Sequence, residues 1–353
     1  MRNKKIYYYF IFFAFISIIT LYSTSSILPS HLSNIYLKQI IIYIICLFIL
    51  IIFKNNNFIF KYIKLFYFFS IISLIGLLVF AEPINNAKCW YKIPFLGTIQ
   101  PSEFVKLIIV IFTAIVLTNK KDKKIFKVFI ILIIPAILTY LQPDTGLVIM
   151  YFISVFAILL CYFKKYKLFI YSGVILTSLI GIILILYYYN QNVLINFFGD
   201  SIFLRVERLI NWHNQDGYQL NNALIAIGSA GLGIHFKNIQ FYFPEAHTDF
   251  IFASFASSFG LILSLILIIS IVLFDCYLLN IGLKTKNERD KLIIIGFASI
   301  LIYQQIQNIG MNLGLLPITG ITLPFISYGG SSLLSYSFML VIIKNINKNR
   351  KDF

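Results

Sequence analysis

Long apolar blocks, separated by short lysine-rich breaks, dominate this chain. A helix needs roughly 20 apolar residues to cross a bilayer, and about ten blocks approach that length. They cover residues 6–28, 36–53, 63–80, 103–119, 125–141, 145–163, 167–188, 251–280, 291–309 and 325–343. The pattern predicts an all-α polytopic integral membrane protein with about ten transmembrane helices. The first block carries no small-residue cleavage site and nine more follow it, so it reads as a retained span rather than a signal peptide. Most breaks are short. Two are long: residues 81–102, and residues 189–250 between spans seven and eight. The second holds Trp212, Tyr218 and Gly228-Ser-Ala-Gly-Leu-Gly233, which predicts short amphipathic or re-entrant helices rather than a structureless linker. No soluble module is visible at either end, so residues 1–353 read as a single membrane domain.

Composition agrees. The 353 residues are 59% hydrophobic and only 12% charged, with mean hydropathy +0.88, which excludes an ordinary soluble domain. Most of the 29 Lys and Arg fall on one side if the spans alternate and the N-terminus is inside. The positive-inside rule then puts both termini in the cytoplasm. The net charge of +16 is therefore a topology signal, scattered over short loops, and not a nucleic-acid surface. The same alternation sends the acids Glu82, Glu103, Asp144, Asp200, Glu207, Asp216, Glu245 and Asp249, and all four histidines, to the external face. Among the cysteines only Cys89 is external, so no disulfide framework is available.

Two segments carry candidate chemistry. Pro244-Glu-Ala-His-Thr-Asp249-Phe-Ile-Phe-Ala253 puts two carboxylates and a histidine at the mouth of a span, where a charge is costly and calls for a function. Gly310–Ser332 interrupts apolar sequence with glycines and prolines. Non-helical backbone at membrane depth survives only when packed in protein or lining a wet cavity. Either reading fits: a packed hinge, or a cavity wall whose backbone N–H groups, with Ser327, Gly329 and Gly330, face a polar ligand.

Together the motifs resemble the SEDS family (shape, elongation, division and sporulation proteins, the RodA and FtsW type). Lys88-Cys89-Trp90 followed by Gln100-Pro-Ser-Glu-Phe-Val-Lys106 is similar to the family's K-S-W … Q-P-S-E-x-x-K. Gln142-Pro-Asp-Thr-Gly146 resembles Q-P-D-x-G. Pro244–Ala253 resembles P-E-x-H-T-D-F-I-F-A, and Gly314–Ser332 resembles the G-x-L-P … S-Y-G-G-S-S ending. There are departures. Ala256-Ser257-Ser258 stands where the family usually carries two glutamates, the loop before Gly217-Tyr-Gln219 is shortened, and Asn222-Ala223 replaces a Gln-Ser pair.

The resemblance implies a peptidoglycan glycosyltransferase. Such an enzyme polymerises lipid II, an undecaprenyl-diphosphate disaccharide-peptide, into β-1,4 glycan strands on the outer face of the bacterial cytoplasmic membrane. It works during elongation or division, beside a class B penicillin-binding protein and other membrane proteins of that machinery. Converting an α-linked donor to a β-linked product in one displacement needs a base for the acceptor hydroxyl and stabilisation of the departing diphosphate.

Asp249 is the candidate base; helix capping by Thr248 or Asp249 is its bland alternative. Glu245 and His247 are read as orienting Asp249, as plain loop residues, or, with Glu245 and Asp249 as ligands, as holding a divalent cation (Mg or Mn). Arg205 and Arg208 suit a diphosphate, or anchor to lipid headgroups. Glu103 and Lys106 are substrate-binding candidates or a structural ion pair. Trp90 stacks on a sugar or belongs to the interfacial aromatic belt. Asp144 reads as a helix cap. The readings from other classes are a lipid II flippase and a non-catalytic scaffold. The near absence of charge along the spans speaks against a flippase.

Overall fold

The computed structural model describes residues 4–29, 32–83, 87–93, 97–119, 124–164, 217–236 and 242–349, with scattered helical positions between 178 and 195. Most of the expected seventh span, and Arg205 and Arg208, lie outside the described residues.

Among the described residues, the first six expected blocks fold as helices: α1 (Lys4–Thr24), α2 (Ile35–Ile52), α4 (Ile63–Phe80), α5 (Ser102–Thr118), α6 (Lys124–Leu141) and α7 (Thr145–Phe163), with a short α3 (Asn57–Lys61) between α2 and α4. They are followed by α8 (Gly217–Ser229), α9 (Ile251–Leu283), α10 (Glu288–Asn312) and α11 (Gly330–Asn349). Seven of them (α1, α2, α4, α6, α7, α9 and α10) are long and apolar enough to cross a membrane. The others differ for visible reasons: α5 has 17 residues, and α11 carries several serines and asparagines. The short helix α8 answers the expectation for the second long segment.

Among the described residues, the architecture departs from all-α at one place. Strands β1 (Tyr91–Ile93) and β2 (Gly97–Ile99) pair antiparallel, Tyr91 opposite Ile99. Hydropathy blocks do not register strands this short.

Helix α10 is the centre of the bundle. Two thirds of its apolar window, 67%, is buried, against 22–39% for the other six. The faces of α2 and α4 remain rich in exposed Ile and Phe, as lipid-facing helices require. Packing around α10 is close enough to need small residues. A side chain at Gly296 would meet Ile158 and Val110 at 2.8 Å.

Helix α9 is broken at Gly260, which has φ 77° and ψ 175°. The groups freed by the break are taken up by the segment after α8. Leu261 N–H donates to Gly231 O at 3.0 Å, and Ser258 O accepts from His235 N–H at 2.8 Å. A Cβ at position 260 would lie 2.3 Å from Gly233 O. Gly260→Ala therefore combines a left-handed conformation with a backbone clash. It is expected to lower stability by on the order of 1–3 kcal/mol or more, read as a lower melting temperature in detergent. The Ser258 that replaces a glutamate of the family pattern accepts a 2.9 Å hydrogen bond from Ser23 of α1, so this helix contact is neutral here.

The segment 313–329 is non-helical, with residues 323–327 buried, and several of its carbonyls are satisfied by side chains from elsewhere. Ser17 of α1 donates to Ile326 O at 2.7 Å, Gln39 of α2 to Ser327 O at 3.3 Å, and Gln307 of α10 to Pro317 O at 2.8 Å. Tyr43 donates to Phe325 O, and Phe325 itself has φ 65°. This holds residues 325–329 out of helix, so α11 starts at Gly330 rather than near 325.

Lys344, near the C-terminus, and Cys89, expected to be external, are both packed. Lys344 is 7% exposed and caps the end of α2, donating to Leu50 O and Phe53 O. Cys89 is 2% exposed and donates to Gln142 O at 2.9 Å.

Candidate active site

Helices α5, α7, α9 and α11 all begin around one cavity of about 570 Å³. Each contributes its first turn or the residue just before it: Glu103 from α5, Asp144 and Gly146 from α7, Asp249 ahead of α9, and Gly330 to Ser332 from α11. The positive ends of helix dipoles therefore converge on the space. That arrangement offsets the carboxylates in its wall and favours an anionic ligand.

The 244–250 turn places Asp249, and α10 holds that turn. Asn308 and Asn312 each donate a side-chain N–H to Asp249 O, at 2.7 and 2.9 Å. Asn312 Oδ1 also accepts from Ala253 N–H at 2.9 Å. This bond does the work expected of Thr248 or Asp249 as a helix cap; the residue at the cap position is Phe250, and no side chain within the turn caps α9. The Asp249 carboxylate is left available. It lines the cavity half-buried and accepts no hydrogen bond among the described residues. Burial, and then the nearby Glu245, push its pKa up to about 7. A carboxylate in that range is matched to general-base work near neutral pH. Opposite it, Gly320 has φ 66°, and a Cβ there would sit 3.5 Å from Asp249 Oδ2.

Glu245 and His247 also line the cavity, but neither bonds to Asp249. Glu245 accepts from Thr248 Oγ at 2.6 Å. His247 is pushed towards the neutral form by burial, with Glu245 opposing. Its backbone O takes Tyr328 N–H at 2.9 Å. Ser327 does not line the cavity. It donates to Thr248 O at 2.6 Å and accepts from Leu323 N–H at 2.8 Å, so it stitches the two loops together. Gly329 and Gly330 do line it, as does Trp90.

On the opposite wall Glu103 pairs with Lys106, which is 0% exposed and lies behind the cavity surface. Ser335 donates to Glu103 Oε2 at 3.3 Å, and Lys106 Nζ sits 4.6 Å from the centre of the Tyr336 ring. Asp144 caps α7 by accepting from Leu147 N–H at 3.1 Å, and accepts from Gln100 Nε2 at 2.7 Å. Its pKa is raised to about 6, mainly by burial. Nothing in the sequence marks Gln100, Asn308 and Asn312 for this role. Their role depends on partners far along the chain, although Gln100 belongs to a quoted motif.

Among the described residues, no group of three or more His, Cys, Asp or Glu side chains could hold a metal ion. The side chains present fit a divalent cation only where phosphate oxygens supply the other ligands, with one or two carboxylates from the protein.

All four quoted motifs thus meet in one cavity, and a family model described as "Cell cycle protein", covering FtsW, RodA and SpoVE, matches residues 3–352. The chain belongs to the FtsW/RodA/SpoVE family. A Bacillus subtilis relative named "Probable peptidoglycan glycosyltransferase FtsW" is 33% identical over 312 residues, 80% of this chain and 74% of the relative. A Haemophilus influenzae protein of the same name is 31% identical over 307 residues, 81% and 74% of the two chains. Solved structures share this fold over nearly the full length of the chain. A chain from a peptidoglycan synthase complex superposes with TM-score 0.80 at 22% identity, covering 98% of both chains. The rod-shape-determining protein RodA of Thermus thermophilus superposes with TM-score 0.69 at 22% identity, covering 97% of this chain and 96% of that one. With its family and its apolar helices, this is a multi-pass membrane protein.

Proposed function

We propose that this FtsW/RodA/SpoVE-family chain is a peptidoglycan glycosyltransferase that polymerises lipid II, with Asp249 as the base. The observation that carries the reading is a half-buried carboxylate with a pKa raised to about 7, free of hydrogen bonds among the described residues, in a cavity where helix N-termini converge. Asp249 takes the proton from the acceptor hydroxyl as that oxygen attacks the donor sugar, and the diphosphate departs. The helix N-termini face the developing charge, and Arg205 and Arg208 are assigned to the same diphosphate. Mg or Mn bound to that diphosphate would be met by Asp249 and Glu245 and would supply further charge neutralisation. Trp90 is assigned to sugar stacking.

The finer placement belongs to the same reading. It comprises ten spans in a single domain over residues 1–353, both termini cytoplasmic, and the 189–250 segment external between spans seven and eight. The site opens on the outer face of the bacterial cytoplasmic membrane. A class B penicillin-binding protein is the cross-linking partner, in keeping with a structural neighbour from a complex that coordinates polymerization and crosslinking. FtsW-named relatives favour division over elongation.

The decisive experiment is polymerisation of lipid II by the purified protein in detergent, where no membrane has to be crossed. A protein that moves lipid II across vesicle membranes yet forms no glycan would be a transporter instead. Topology is read in a variant lacking native cysteines, since Cys89 is buried and a poor reporter. Cysteine at the exposed Tyr242 is expected to react with a membrane-impermeant reagent in intact cells. Cysteine at Lys121 is expected to react only after lysis. The reverse pattern would put the site on the cytoplasmic face.

A further inference from the structure

Helix α10 carries a polar stripe, Gln304, Asn308 and Asn312, spaced by four and so aligned on one face. The two asparagines hold Asp249, as described. Gln304 lies one turn further from that loop, lines the cavity and is only 1% exposed. Its Nε2 donates to Tyr336 Oη at 2.9 Å, and Tyr336 is fixed beneath Lys106. The amide is thus anchored at one end. Its other end, Oε1, is buried and has no partner among the described residues. Thr319 Oγ, also in the wall, is unpartnered in the same way.

A buried acceptor without a donor is expensive, and native proteins keep such groups for water or a ligand. The rest of the wall narrows the ligand. Among the described residues, Glu103, Asp144, Glu245 and Asp249 are the acids that line it, and ionised carboxylates only accept. Beside the helix N-termini that suit an anionic group, these acceptors fit a ligand that also carries O–H and N–H groups.

We propose that Gln304 is the floor of a saccharide-reading subsite. Its Oε1 accepts a hydrogen bond from a sugar hydroxyl or acetamido N–H, separately from the chemistry at Asp249. This deepens the glycosyltransferase reading, on which the identity of the sugar rests; the subsite itself rests on the cavity geometry. Gln304 is a specificity-determining residue here, and it moves no proton. A site built to hydrogen-bond a polar group rejects analogues lacking it, because its own buried group is then left unpaired.

The test is equilibrium binding to detergent-purified protein of two probes, lipid II and undecaprenyl diphosphate, which lacks sugars. Gln304→Met keeps length and removes the acceptor. It is expected to weaken lipid II binding by about tenfold or more and to leave the sugarless lipid unaffected. In turnover, KM for lipid II rises while kcat changes little. Wild type is expected to discriminate against lipid II lacking one hydroxyl or the acetyl group, and the variant is expected to lose that discrimination for one of these. Should Gln304→Met fail to fold, Gln304→Asn keeps the amide but withdraws it by one methylene, and the same selective loss is expected. Equal binding of both probes to wild type and variant, or equal loss of both, overturns the subsite. Selective binding without polymerisation by wild type would leave the subsite standing and remove the glycosyltransferase reading; polymerisation with an unchanged variant would do the opposite.

Discussion

Asp249→Asn is expected to reduce glycan-strand formation from lipid II by at least about two orders of magnitude, the range for a lost general base. The substitution keeps the size of the side chain. It leaves the bonds that hold the turn intact, because Asn308 and Asn312 grip the backbone of residue 249 and not its carboxylate. Loss of activity should therefore come with a folded protein. The pH behaviour provides a second check. In wild type, kcat/KM is expected to rise with pH towards about 7 as the base loses its proton, then level off unless another group titrates. The stability effect has the opposite sense. A carboxyl held at about 7 in the fold, against an ordinary 3.8, binds its proton more tightly when folded. Its contribution to stability is complete below the ordinary value and is lost as the pH rises through the raised one. Asparagine carries no such loss. The variant is expected to melt above wild type at about pH 8 and to converge with it towards about pH 4. Near-wild-type polymerisation by the purified variant would remove Asp249 from the base role.

Most of the described helices are legible because hydropathy is a local property: α1, α2 and α4 to α7 begin and end close to the expected blocks, whereas the short α3 lies in none of them. Of the candidate residues inside motifs, Trp90, Glu103, Asp249, Gly329 and Gly330 line the cavity. What the sequence hides is which groups satisfy which. Capping at the start of α9 reads naturally as a task for Thr248 or Asp249, yet Asn312, 59 residues away, performs it. Pairing of Gln100 with Asp144 spans 44 residues. Ser327 looked like a ligand contact because it sits in a glycine-rich stretch, and it serves as a brace because a carbonyl and an N–H from two loops meet there. In each case the relevant partner is set by tertiary packing. The convergence of helix N-termini is of the same kind: each start is legible alone, but their meeting at one cavity is not.

Lys106→Met is the substitution expected to cost the most stability. Glu103 and Lys106 face each other within one turn of α5 with almost no exposure. Removing the lysine leaves a carboxylate with Ser335 as its one remaining side-chain donor among the described residues. Breaking a buried pair from one side typically costs about 3–5 kcal/mol, read as a large fall in melting temperature or as failure to accumulate in the membrane. Replacing both partners by uncharged groups of similar shape removes the uncompensated charge, so Glu103→Gln combined with Lys106→Met is expected to recover most of the lost stability. Activity separates the two roles of the pair. Glu103 lines the cavity whereas Lys106 does not, so polymerisation is expected to stay depressed in the recovered double variant by about tenfold or more, the scale of one charged hydrogen bond. Recovery of both stability and polymerisation would make the pair a brace between α5 and α11. A single Lys106→Met variant that melts like wild type would show that Glu103 needs no cation beside it, and the buried pair would lose its structural role.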